Sequence, residues 1–440
     1  MTMDTLHEGL SRIESQAPHH VRRLKQYRGE APAAFLSAKS REALNEKLHR
    51  LSVNFPRMAV GALADRLTLT GFMFAGEPSP TWAVFRRCQG LRLANMVHTD
   101  RLLFGSVYVT VWADEHGRPT LTGDTAATMA HGIDPATGET LWAVRKWSVG
   151  SPDRTVMTRA VVYEPEKITR YRSGSVDAPT SGGWEREGDP IDNPLGAVPV
   201  TPFVRRQTLS DDAVAGASIV DDIADLTDAT AKLLADAMVT SEFYARPRRW
   251  ATGLEIEEDE DGNPVDPFGE SRLLQSEDPD TKFGQLDASR LDGYADLIAT
   301  MTQQIGSLTG LPPHYLGLHG DQPPNADSVK AAETQLVSRA YDEQLPLSED
   351  WGRVAWLLDS VNRGVPADPD TMHEWSPTWA SPEIRTPGQA SDAAVKQRSI
   401  GIPLEYVLRK TMDVDPADVE AIVKQAHTEA IMRSLGSTGA

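Results

Sequence analysis

The chain has 440 residues and 40% hydrophobic content, enough for two to four domains with sizeable cores. Its formal net charge of -19 argues against a conventional DNA-binding surface, which needs clustered Lys and Arg, and its single cysteine, Cys88, excludes an internal disulfide and any Cys-based zinc site. A mean hydropathy of -0.38, the lack of a long apolar run and an N-terminus (Met1-Thr-Met-Asp-Thr-Leu-His-Glu) without signal-peptide character predict a soluble chain with no membrane span.

In chain order, residues 3–27 read as a surface-exposed helix with Leu6, Leu10 and Ile13 on one side. The basic stretch His19-His20-Val-Arg-Arg-Leu-Lys follows, read as a solvated face rather than a nucleic-acid contact. Ser37 can cap a helix carrying Leu44, Leu48 and Leu51. A helix starting at Asn54, with Pro56 in its first turn, is expected to end at Thr70-Gly-Phe. Another spans Thr81 to Phe104, interrupted near Gly90. Alternation then predicts strands at Ser106–Trp112, Pro119–Thr122, Glu139–Trp147, Arg154–Tyr163 and Ile168–Arg172, with turns at Asp114-Glu-His-Gly and Asp134-Pro-Ala-Thr-Gly. Val198-Pro-Val-Thr-Pro-Phe-Val suits an edge strand, because its prolines cannot donate to a ladder.

From Ser218 to about Phe243 the pattern predicts a helix with one narrow stripe: Ile219, Ile223, Leu226, Thr230, Leu233, Ala237 and Ser241. Its other faces carry Asp221, Asp222, Asp225, Asp228 and Asp236, with Lys232 as the sole base. A slim seam with an acidic remainder suits packing sideways against copies of itself. Short strands and turns follow to about Gln285, then a helix over Ser289–Leu308. Thr309 to Asn325 holds too many prolines and glycines to be helical. A long helix capped by Asn325 or Asp327 then reaches Leu358 or beyond, with Pro346 inside it as a kink. Beyond it, Asn362–Pro387 reads as loop with a short strand near Trp375, followed by helices at Gln389–Ser399, Leu404–Lys410 and Pro416–Leu435.

Catalytic signatures are missing: there is no phosphate-binding loop, dinucleotide fingerprint or nucleophile elbow. The acidic run Glu257–Gly262 opens like a calcium loop, but Phe268 stands where a bidentate Glu is needed. His314 and His319 lack metal-ligand spacing, and Cys88 reads as a small packed residue rather than a nucleophile. Arg246, Arg248, Arg249 and Trp250 form a basic-aromatic cluster, open to two readings: pairing with the acids at 255–261, or contacting a partner.

Several stretches stand in order along the chain: Tyr27-Arg-Gly-Glu-Ala-Pro; Val53-Asn-Phe-Pro-Arg with Leu67-Thr-Leu-Thr-Gly-Phe; Asp100 to Trp112; Ser218-Ile-Val-Asp-Asp-Ile; Ala245 to Gly253; Leu308 to Gly317; and Asp327 to Leu336. Together they resemble a bacteriophage portal protein of the actinobacteriophage type. The resemblance implies an α+β, portal-type subunit in a ring of about twelve copies at one capsid vertex. Residues 1–210 would be an α/β wing, 211–243 the first stem helix, 244–287 a small β-containing clip and 288–309 the second stem helix. A tunnel loop at 310–326, a long kinked helix at 327–362 and a helical crown at 363–440 would complete it. On this reading His314, Tyr315, His319, Gln322 and Asn325 face DNA, and Asp221, Asp222, Asp225, Asp228 and Lys232 belong to the stem channel. Arg246, Arg248, Arg249 and Trp250 contact a partner at the clip, and Pro346 kinks the long helix. The expected partners are further copies of the chain, the terminase large subunit, a head–tail adaptor, the major capsid protein and double-stranded DNA, in a virion assembled in the host cytoplasm, with no cofactor and no enzymatic activity. The rivals are a metal-dependent hydrolase built from scattered Asp, Glu and His, and a coiled-coil scaffold, for which no sustained heptads exist.

Overall fold

The computed structural model describes residues 2–30, 53–151, 154–175, 177–245, 249–252, 280–285, 291–318, 326–383, 387–412, 414 and 416–437. The helix expected after Ser37 and the acidic run 257–262 lie outside these residues. The chain divides into two compact units: Met1–Arg28, Asn54–Ala224 and Gly306–Ala440 in one, Gly29–Val53 and Asp225–Ile305 in the other. It is a mixed fold of helices and antiparallel sheets.

In the first unit, α1 (Thr2–Arg28) is less exposed than its polar composition suggests: Leu6, Leu10 and Ile13 are fully buried. Leu6 and Leu10 pack with Val144, Ala160, Val162 and Tyr171, so the apolar stripe is a docking face for a sheet. α2 (Phe55–Ala64) stops short of the expected end. Thr70-Gly-Phe belongs instead to strand β1 (Leu69–Phe74), which pairs with the two-residue β2 (Glu77–Pro78). The expected break near Gly90 separates α3 (Thr81–Arg87) from α4 (Gly90–Phe104).

The strands that follow split into two sheets. β3 (Ser106–Ala113) lies between β4 (Pro119–Thr125) and β11 (Val200–Val204), which places the proline-bearing strand at an edge as expected. The other sheet runs β10 (Ile191–Asp192), β8 (Lys167–Ser173), β7 (Arg154–Tyr163), β6 (Thr140–Ser151), β5 (Met129–Ile133), with β9 (Glu185–Arg186) also on β8. β5 was not foreseen: four of its five residues are buried, so it shows no alternation.

The second unit takes in nearly all of α5 (Ala224–Ala245), the hairpin of β12 (Arg249–Thr252) and β13 (Lys282–Gln285), and most of α6 (Asp292–Thr309). α5 begins later than Ser218, after a short 3-10 turn at Asp221–Ile223. Its buried line passes through Thr227, Thr230, Ala231 and Ala235, whereas Leu226, Leu233 and Ala237 are half-buried and Ser241 is exposed.

α7 (Ala326–Arg363) is the spine of the first unit. Leu336, Ala340, Leu347, Trp351, Val354 and Leu358 are buried along one face at helical spacing. Trp351 meets Phe85 of α3 and Phe203 of β11 at ring distances of 5.6 and 4.8 Å. Its indole N–H donates to His98 Nε2 of α4 at 2.9 Å. After a 3-10 turn at Pro369–Glu374, β14 (Trp375–Trp379) returns to pair with β1, from Leu69↔Trp379 to Phe74↔Trp375. Gly352 permits this return, since a Cβ there would lie 2.6 Å from the Trp375 carbonyl oxygen. α8 (Pro387–Ser399), α9 (Leu404–Lys410) and α10 (Pro416–Ser437) close the chain much as expected.

Candidate functional site

The segment leaving α6 is tied down at its root. Thr309 ends the helix, Gly310 turns the chain at φ 73°, and Leu311 and Pro312 are buried. Pro313–Leu316 then form one 3-10 turn where irregular backbone was expected, closed by Gly317 at φ 71°. A short 3-10 turn suits consecutive prolines, because it needs few backbone donors.

Both described residues assigned to the DNA-facing set face a polar cluster. Tyr315 OH accepts from Arg66 Nη2 at 3.2 Å and donates to Glu333 Oε1 at 3.4 Å. His314 Nε2 lies 3.8 Å from the same carboxylate, and its ring meets Tyr315 edge-on at 4.8 Å. Arg66 also donates to the Ala62 carbonyl, so α2 and α7 hold the loop root between them. His319, Gln322 and Asn325 lie outside the described residues.

A second polar cluster sits further along α7. Glu343 accepts from Arg101 Nη1 at 2.5 Å and from Arg205 Nε at 2.7 Å, and the two arginine side chains are 1% and 4% exposed. Burial alone would raise the Glu343 pKa, but the two guanidiniums outweigh it and hold the carboxyl below its ordinary range. The cluster borders a groove of about 590 Å³ that also reaches Asp222, Arg339 and Pro346. α7 runs unbroken through Pro346, although proline removes one helical N–H there.

Neither cluster was visible in the sequence, because Arg66 and Glu333, or Arg101, Arg205 and Glu343, are far apart along the chain. One signal was available. Glu333 and Glu343 fall on the face of α7 that carries Leu336 and Ala340, and a carboxylate in a core stripe requires a buried cation.

Of the acids assigned to the stem, Asp221 is bound by Arg23 of α1, with Nη2 to Oδ2 at 2.5 Å. Arg23 also donates to the Phe104 carbonyl, and His20 stacks on the Phe104 ring at 3.7 Å, so part of the basic stretch of α1 is packed rather than solvated. Asp222 and Asp225 are exposed, and Asp228 is half-buried. Lys232 pairs with Asp236 at 2.5 Å. At the hairpin, Arg249 and Trp250 stand opposite Gln285 and Gly284, while Arg246 and Arg248 lie outside the described residues. Among the described residues, no cluster of three or more His, Cys, Asp and Glu is placed to hold a metal. Cys88 donates its thiol to the Pro119 carbonyl at 3.1 Å, and burial raises its pKa, which suits packing rather than nucleophilic attack.

The family model for phage portal proteins of the SPP1 Gp6-like type matches residues 11–432. The chain belongs to this portal family. Its relatives include the portal protein of Mycobacterium phage D29, 26% identical over 412 residues that cover 88% of this chain and 81% of that protein. The portal protein of Mycobacterium phage L5 is 26% identical over 362 residues, covering 78% and 72% respectively. Both relatives come from phages of actinobacteria, the branch that the sequence resembled. Similar solved chains come from the virion of a native gene transfer agent particle (TM-score 0.47, 15% identity, 84% of this chain and 91% of that one). Another comes from the neck of the native particle computed with C12 symmetry (TM-score 0.45, 15% identity, 87% and 95%).

Proposed function

We propose that this portal-family chain is the subunit of a ring-shaped channel at one capsid vertex, through which double-stranded DNA is packaged and later ejected. The family match across residues 11–432 carries the reading. It supports a channel and not the metal-dependent hydrolase. The terminase large subunit docks during packaging, a head–tail adaptor replaces it, and the major capsid protein surrounds the ring. The chain itself is structural, and terminase supplies the ATP hydrolysis.

Within this reading, residues 1–210 are the wing, 211–243 and 288–309 the stem helices, 244–287 the clip, 310–326 the tunnel loop, 327–362 the long kinked helix and 363–440 the crown. The division of the chain supports the stem and clip, because Asp225–Ile305 brings two helices and the antiparallel pair β12–β13 into one compact unit, together with Gly29–Val53. Asp225 and Asp228, repeated around a ring, give a negative wall along which DNA slides without adhering. Arg246, Arg248, Arg249 and Trp250 meet the docking partner at the clip. His314 and Tyr315 act as the loop's anchored base, and His319, Gln322 and Asn325 lie nearer DNA. Pro346 bends the long helix where it passes the Glu343 cluster.

Assembly takes place in the host cytoplasm, and the finished ring resides in the virion; among the described residues no helix is long and apolar enough to cross a membrane. A disruption of this gene in its phage tests the function. Heads empty of DNA, refilled when the intact chain is supplied in trans, are the expected result. Full heads without the chain would overturn the reading.

A further inference from the structure

One strand of the first unit ends its sheet without a partner on one side. In β3, Val111 N–H donates to the Pro199 carbonyl at 2.8 Å, and Arg205 N–H donates to the Gly105 carbonyl at 2.8 Å. The odd-numbered residues of β3 therefore turn their backbone groups toward β11. The even-numbered ones turn toward β4, where Tyr108, Thr110 and Trp112 stand opposite Asp124, Thr122 and Thr120. Leu121 and Gly123 of β4 are left with N–H and C=O groups directed away from the sheet. No described strand pairs with that side. Pro119 starts the edge without an N–H, and its carbonyl already takes the Cys88 thiol, so the free stretch is short and its register is fixed at one end.

Beside this edge runs a groove of about 1130 Å³, walled by Arg87, Cys88, Arg92 and Met96 on the helical side and by Leu121 and Gly123 on the strand side. Gly123 keeps the wall close, since a Cβ there would lie 2.8 Å from Leu93 Cδ1. Two other cations near the groove are already neutralised: Arg118 by Asp114 at 2.8 Å and Arg145 by Asp124 at 2.9 Å. Arg87 and Arg92 are exposed and make no ion pair among the described residues. Two uncompensated guanidiniums beside unpaired strand backbone stand out in a chain of net charge -19.

We propose that the free edge of β4 binds an extended acidic segment of a partner protein, added as one more strand, with its carboxylates on Arg87 and Arg92. Backbone bonds to Leu121 and Gly123 supply register, and the arginines supply selectivity for acid. This binding does not rest on the channel reading, because it uses one subunit and no ring geometry.

The test follows hydrogen exchange of the full-length protein by mass spectrometry, with a short peptide of alternating glutamate and valine as the probe. The expected result is slowed exchange in the segment holding Leu121 and Gly123, with binding that weakens as salt rises. The double variant R87E/R92E is expected to bind about tenfold or more weakly while keeping its circular dichroism and melting temperature. A lysine–valine peptide is expected to leave the segment unprotected. Equal protection by the lysine peptide, or tighter binding of oligothymidylate than of the acidic peptide, would overturn the proposal. So would protection that appears on self-association alone, which would make the edge a contact between copies of this chain.

Discussion

Glu343 lies between Arg101 and Arg205, and each guanidinium is almost wholly out of water. A buried cluster of this kind adds little net stability when intact, yet removing its anion leaves two unpaired cations, at a cost of about 3–5 kcal/mol. Glu343→Ala is therefore expected to lower stability by that order in urea unfolding. Because the folded-state pKa of Glu343 is depressed, its contribution is present above the ordinary carboxylate value and is lost as pH falls below it. His98 acts over a different window. Burial, helped by the charge of Arg101 and opposed by the Leu67 backbone, lowers its pKa from 6.5 to about 3, so the folded state keeps it neutral to accept from Trp351. The unfolded chain binds that proton below pH 6.5, so stability falls on acidification through this range, by up to about 1.4 kcal/mol per pH unit. His98→Gln retains an acceptor for Trp351 without the titration. Followed by urea unfolding, its stability is expected to fall less steeply than the parent's between pH 6 and about pH 4.5, by about one proton's share, while His20 and His131, which burial lowers to about 4, titrate in both.

At the scale of elements, the return of β14 to β1 joins two parts of the chain remote in sequence. Trp375 is buried and meets Phe74 at 4.8 Å, while Trp379 donates its indole N–H to Ser348 of α7. A chain ended at Gly364 is expected to become protease-sensitive across residues 54–224. One ended at Ser381, which keeps β14, is expected to resist under the same limited proteolysis. Equal sensitivity would show that the pairing does not hold the unit together. This pairing also marks where the sequence ceased to be readable. Strands β3, β4, β6, β7 and β8 were legible because their alternation and turns are local. β1 was not, because Thr70-Gly-Phe reads as the stop of the preceding helix and the strand's partner comes only after α7. β5 was hidden by near-total burial, which removes alternation. The buried line of α5 was only partly legible, because Thr and Ala proved more buried than the leucines beside them. The loop root was missed in another way: proline and glycine excluded a long helix there, but not a single 3-10 turn.

For the whole molecule, the order of recognisable stretches carried more information than any local motif. That order pointed to the portal family, and the match over residues 11–432 establishes membership. Local chemistry did not foreshadow the clusters at Glu333 and Glu343, because neither is formed by neighbours in sequence. Both clusters fix α7, which ties the turn at Pro313–Leu316 at one end to the aromatic core around Trp351 further along. On the proposed channel reading, the acids of α5 act only when copies stand side by side around an axis. The channel reading therefore rests on assembly. Negative-stain imaging of the purified chain, with mass photometry on the same sample, tests it most directly. The account predicts closed rings of about twelve subunits with a central hole. A monodisperse monomer or dimer at every protein and salt concentration would contradict it.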